Sequence, residues 1–174
     1  MKTWYKRSLR RSAFEAPPPP PPAEIQQHQP QDNRVVNPID LADTKPWTGI
    51  VVHHSASPNW TTVENIDAWH KEKGWSGVGY HFVIESNGAI KKGRPLSDVG
   101  AHAKTGKPYS RNTSHIGICL VGEETFTQAQ QVALDMLIKK LNEFYNIESV
   151  ERHHEKCPGS AMDVERYNGL IKKR

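Results

Sequence analysis

Near the C-terminal end the sequence places two imidazoles, a carboxylate, an ammonium and a thiol side by side, His153-His154-Glu155-Lys156-Cys157, and follows them with Pro158-Gly159. The Pro-Gly pair turns the backbone, so these side chains can converge on one point. A thiolate with neutral imidazoles is the donor set that a borderline-soft ion such as zinc prefers. His153 lies four positions before Cys157 and His154 three, and either pairing can face one ion from a single turn of backbone. Two donors do not complete a site. The third is expected from the other histidine pair, His53-His54, which ends the apolar run Ile50-Val51-Val52. A His, His, Cys set from distant segments fits an open zinc position that keeps a water, whereas a closed structural site shows two tight donor pairs.

The elements that must position these groups follow from periodicity and turn chemistry. Gly49 to His54 reads as a buried strand, left by the loop Ser55-Ala56-Ser57-Pro58-Asn59. Thr61 with Glu64 has the form of a capping box, and Val63, Ile66 and Trp69 predict a helix to about Lys73, stopped by Gly74. Tyr80 to Glu85 and Ala89-Ile90-Lys91 predict a hairpin around Ser86-Asn87-Gly88. Gly93 to Asn112 lacks periodicity and reads as a cleft wall. Ile116 to Val121 is a further buried strand. Thr127 and Gln130 open a helix with Ala129, Val132, Ala133, Met136, Leu137, Leu141 and Phe144 on its expected core face. Ser149 to Arg152 then delivers the His-Cys cluster, and Asp163 caps a last helix through Leu170. Strands interleaved with amphipathic helices predict an α/β fold: a single domain, residues 35–174, with a central mixed β-sheet flanked by helices.

Residues 1–34 differ in kind. The unbroken run Pro17 to Pro22 and the Gln-rich stretch after it predict a disordered, basic, Pro/Gln-rich tail acting as a spacer. Its charge explains the balance of the chain. The formal net charge is +4, but five basic residues and no acidic one fall in the first twelve positions, which leaves 18 basic against 19 acidic elsewhere. A nearly neutral remainder carries no electrostatic footprint for nucleic acid. No apolar stretch has the length of a transmembrane segment, and the basic N-terminus lacks the apolar region of a secretory signal. Of the two cysteines, Cys119 lies in an apolar run and reads as a buried thiol, so no disulfide is expected.

Six stretches, taken in order, resemble the type 2 N-acetylmuramoyl-L-alanine amidases: Val52-His53-His54-Ser55-Ala56, Trp69-His70-Lys71-Glu72-Lys73-Gly74-Trp75, Val78-Gly79-Tyr80-His81-Phe82, Val99-Gly100-Ala101-His102-Ala103-Lys104, Ile116-Gly117-Ile118-Cys119-Leu120-Val121-Gly122, and His153-His154-Glu155 with Cys157-Pro158-Gly159. That zinc-dependent family includes phage lysozyme-like endolysins and peptidoglycan recognition proteins. The resemblance covers about residues 48 to 165. It implies a hydrolase of the bond between N-acetylmuramic acid and L-alanine in peptidoglycan, with Zn²⁺ on His53, His153 and Cys157; a monomer is expected. It implies Tyr80 as the catalytic tyrosine, stabilising an oxyanion, and His102 and Asn112 as substrate-binding residues. One departure stands out. Where the endolysin branch has a lysine two residues before the ligand cysteine, this chain has Glu155, with Lys156 directly adjacent to Cys157 in a shortened segment. Proton transfer is therefore expected of Lys156 or Glu155. Without a secretory signal, the resemblance implies accumulation in the cytoplasm, release by a separate pore-forming protein and action on the cell wall. The rival expectation is a non-catalytic peptidoglycan-binding module of the same fold.

Overall fold

The computed structural model describes residues 45–103 and 110–171. The expected tail and the domain boundary after residue 34 lie outside the described residues, as does part of the Gly93–Asn112 stretch. The described residues form five strands: the largely apolar β1 Gly49–His54, β2 Phe82–Ile84 and β4 His115–Leu120, and the more polar edge strands β3 Ile90–Lys92 and β5 Ser149–Arg152. They build one sheet in the order β3-β2-β4-β1-β5, with β3 antiparallel to β2 and the other pairings parallel. This is the mixed sheet the sequence predicts.

Helix α1, Val63–Glu72, links β1 to β2, and helix α3, Gln128–Phe144, links β4 to β5; a short α2, Arg111–Ser114, precedes β4. The two long connections leave adjacent strands in opposite directions along the sheet, so right-handed crossovers put their helices on opposite faces. Such a point opens a crevice beyond the carboxyl ends of the strands. The two faces are packed unequally. Ile50, Val52, Ile116, Ile118 and Leu120 join α3 in the larger core, whereas Ile66 of α1 meets a smaller group of Val78, Val83, Cys119 and Val121.

Helix α1 begins one residue later than the sequence pattern indicates. Thr62 is the N-cap and Asn65 closes the box, its amide oxygen accepting from Thr62 N–H at 3.0 Å, a job the exposed Glu64 does not take. The cap of α3 is the expected Thr127 with Gln130. The Gln130 amide also donates to Ile84 O at 3.1 Å and Val121 O at 2.8 Å, tying the helix start to the ends of β2 and β4. The core face of α3 differs from the expected one. Ala133, Leu134, Leu137, Ile138 and Leu141 are buried, together with the polar Gln130 and Asn142, while Val132, Met136 and Phe144 are exposed. Both sets have helical spacing, and the polar residues on the inner face hide it from a reading of apolar positions alone.

The last element is a 3₁₀ turn, Glu165–Gly169, with Val164 rather than the expected Asp163 at its N-cap; the Asp163 carboxylate, one residue earlier, accepts from Arg166 N–H at 3.2 Å. Its Asn168 side chain accepts from Val150 N–H at 2.8 Å and donates to Val150 O at 3.1 Å, on the outer side of β5.

The orientation of α3 sets a stability ranking. Leu134→Ala, at a site with 0 % exposure, is expected to lose about 2–5 kcal/mol in urea denaturation. Met136→Ala, at a site with 60 % exposure, is expected to change stability by about 0.5 kcal/mol or less. The opposite ranking would place the core on the face that the apolar pattern suggests.

Candidate metal centre

Along β1, Ile50 and Val52 enter the α3-side core, so alternation turns His53 to the other face. The parallel registers then assemble a row. His53 lies beside Cys119 of β4, and Cys119 beside Val83 of β2. On the other side Val52 pairs with Arg152, so the next residue, His153, continues beside His53, with its N–H donating to Val52 O at 3.2 Å. The two rings have centroids 4.5 Å apart.

After His153 the backbone folds into a tight loop. His154 N–H donates to Cys157 O at 3.3 Å and Cys157 N–H to His154 O at 2.9 Å. This loop returns Cys157 to the row, with Sγ 4.0 Å from His53 Nδ1. Gly159 follows at φ +81, where a Cβ would press against Glu123 O. One donor atom from each of His53, His153 and Cys157 lies within 4.8 Å of the other two. The set suits zinc chemically: two imidazoles, a thiol, and the His54 backbone N–H 3.4 Å from Cys157 Sγ, where it can stabilise a thiolate.

His54 and His154 face elsewhere. His54 Nδ1 lies 2.7 Å from Glu123 O, and His154 is exposed, its Nδ1 accepting from Lys156 N–H at 3.3 Å. Glu155 and Lys156 are both exposed on the loop. Tyr80 is half-buried, with its ring centroid 5.0 Å from that of His53. Burial, and after it the neighbouring Cys119 and Cys157, push its hydroxyl well above the ordinary tyrosine range, so the phenol keeps its proton and is a donor.

His102 and Asn112, the residues of the irregular stretch, lie behind the row. His102 Nδ1 is 2.9 Å from His53 Nε2, and the Asn112 side-chain oxygen accepts from the N–H groups of His102 and Ala103 at 2.9 and 2.6 Å. Arg111 escapes the sequence reading. Its guanidinium donates to His153 O at 2.8 Å and Arg152 O at 3.1 Å and pairs with Glu151 at 3.2 Å, fixing the strand end that carries a donor. No local pattern marks it, because its partners lie about forty residues away.

Known proteins share this arrangement of chain. The family profile for N-acetylmuramoyl-L-alanine amidase, Amidase_2, matches residues 43–160. The endolysin of Escherichia phage T7 is 38% identical over 130 residues, 68% of this chain and 83% of that protein. Among solved structures, the N-acetylmuramoyl-L-alanine amidase LysC from Clostridium intestinale URNW superposes with a TM-score of 0.65 and 35% identity, over 73% of this chain and 87% of that one. Drosophila PGRP-LB superposes with a TM-score of 0.58 and 26% identity, over 67% and 78% of the two chains.

Four imidazoles of this region, His53, His81, His102 and His153, are shifted toward the neutral form. Burial, then the neighbouring His102, His153 and Arg111, bring His53 well below the usual histidine range. Burial brings His153 down to about 4, His81 to about 4 and His102 to about 3. Neutral rings are the form that binds a metal. His81 shows the consequence for stability most simply, because it serves the backbone: its Nδ1 accepts from Gly117 N–H at 2.9 Å. With a folded pKa below the unfolded one, its contribution is complete above about pH 6.5 and falls as acid protonates the unfolded chain first, down to about pH 4. Urea titrations from pH 7 to pH 4 are expected to show this decline, with a shallower slope in His81→Asn, whose oxygen can still accept from Gly117. An unchanged slope would place the acid sensitivity elsewhere.

Proposed function

The chain belongs to the N-acetylmuramoyl-L-alanine amidase family, and from this we propose that it hydrolyses the amide between N-acetylmuramic acid and L-alanine in peptidoglycan with a zinc ion held by His53, His153 and Cys157. The observation that carries the proposal is the convergence of those three donors within 4.8 Å of one another beside Tyr80. The family shows the chain to be an amidase, and the phage relatives support cell-wall lysis, as an endolysin, for its setting. The catalytic unit in this proposal is residues 35–174, with residues 1–34 as an appended tail.

Bound to this set, zinc supplies Lewis acidity, which polarises the amide carbonyl and lowers the pKa of water toward about 7. The protein's own groups do the rest. His53 and His153 offer neutral nitrogens without first losing a proton. Cys157, whose pKa burial raises, releases its proton on coordination, and His54 N–H and the positive charge of Arg152 favour the thiolate. The Tyr80 phenol donates a hydrogen bond to the carbonyl oxygen as it gains charge. Lys156 delivers the proton to the leaving amine, with Glu155 as the alternative carrier. Arg111 holds the His153 carbonyl, and with it the strand end.

Zinc content and the release of L-alanine amino termini from purified peptidoglycan test the reading. The wild type is expected to hold about one zinc per chain and to cleave, whereas Cys157→Ser loses both metal and activity. Tyr80→Phe is expected to keep zinc and lose roughly 100-fold or more in kcat. Lys156→Ala should lower the rate by about 100-fold while Glu155→Ala leaves it near the wild-type value; the reverse assigns the proton to Glu155. Bound zinc without cleavage of any wall preparation would make the chain a binding module.

A further inference from the structure

His102 is buried, at 8 % exposure, and its ring lies between the metal row and the backbone of β4. Its Nδ1 is 2.9 Å from His53 Nε2 and its Nε2 is 3.2 Å from His115 O. A carbonyl oxygen has no hydrogen to give, so the proton in the second contact sits on His102 Nε2. The neutral ring then presents a lone pair at Nδ1. Across the first contact His53 Nε2 must be the donor. A neutral His53 that carries its hydrogen on Nε2 has its lone pair on Nδ1, and Nδ1 is the atom that faces Cys157 Sγ at 4.0 Å.

We infer that His102 is a positioning residue for the metal centre: it locks His53 in the tautomer that turns the Nδ1 lone pair toward the ion. The inference rests on the proposed zinc reading and adds to it the device that prepares one ligand before metal arrives. The opposite tautomer would set two lone pairs against each other at the His53–His102 contact and point an N–H at the thiol.

The surroundings are built to hold this ring. A Cβ at Gly117 of β4 or at Gly100 would run into the His102 imidazole, so both positions leave the ring its space. Asn112 accepts from the N–H groups of His102 and Ala103, and its own backbone oxygen accepts from Gly100 N–H at 2.9 Å. One residue thus fixes both ends of the short segment that carries the histidine, Ala103 and His102 through its side chain and Gly100 through its backbone. A residue held this way, with both ring nitrogens engaged inside the protein, is placed to orient a ligand.

Two measurements test this. In the metal-free wild type at neutral pH, long-range ¹H–¹⁵N spectra of the imidazoles are expected to show His53 and His102 each protonated at Nε2 and bare at Nδ1. The second compares His102→Asn, which keeps an oxygen acceptor near the Nδ1 position, with His102→Leu, which removes it. By chelator competition His102→Leu should bind zinc about 10–100-fold more weakly, its His53 becoming a mixture of tautomers, and His102→Asn should recover most of the affinity. A His53 protonated at Nδ1 in the wild type would overturn the inference, as would wild-type zinc affinity in His102→Leu. Equal losses in both variants would also overturn it. If His102→Leu does not fold, the wild-type spectrum alone decides. If the wild type holds no zinc, the functional reading fails, and the tautomer measurement still stands by itself.

Discussion

The parallel register of β1 with its two neighbours is the constraint on which the rest depends. It sets His53 between Cys119 and the residue that continues β5, and so makes two donors from segments a hundred residues apart into side-by-side neighbours on one face. A slip of one residue in either pairing would turn one of them to the opposite face. The larger core beneath α3 enforces the register, because Ile50, Val52, Ile116, Ile118 and Leu120 must all point into it together. The site therefore draws its precision from packing on the side of the sheet it does not occupy.

Electrostatics reinforces the same division. Four histidines in and behind the row are kept neutral, mainly by burial. Desolvated imidazoles are costly to protonate, and the nearby Arg111 adds to that cost for His53 and His153. Neutral nitrogens are the form in which imidazoles can act as metal donors, which is the property the proposed zinc set needs. Hydrogen bonds give it order as well as neutrality, since each ring nitrogen that meets a backbone carbonyl has its hydrogen assigned by that partner.

The sequence displays the candidate donor types readily, because a Cys-Pro-Gly turn after paired histidines stands out. It also reveals the strands, the hairpin and the Thr127–Gln130 cap, all of which are local. What separates His53 from His54 is not local: alternation puts them on opposite faces, and the neighbours of β1 bring His153 and Cys157 to the face of His53. For the same reason the contacts of His102 and Asn112, with a ring nitrogen and with backbone groups brought close by the fold, are not legible in an irregular stretch. Arg111 is invisible in sequence because its role lies in main-chain oxygens. The inner face of α3 is obscured in a different way, by Gln130 and Asn142, which are polar and buried.

The Asn168 side chain sits on the outer edge of β5 and takes up both the N–H and the carbonyl of Val150. Those two groups are what a strand from another molecule would use to extend the sheet. The amide acts as a one-residue imitation of a sixth strand, too short to be extended further. At the far edge, β3 presents Lys91 and Lys92, charges that discourage the same event. Among the described residues, both margins of the sheet thus carry a feature that opposes edge-to-edge pairing.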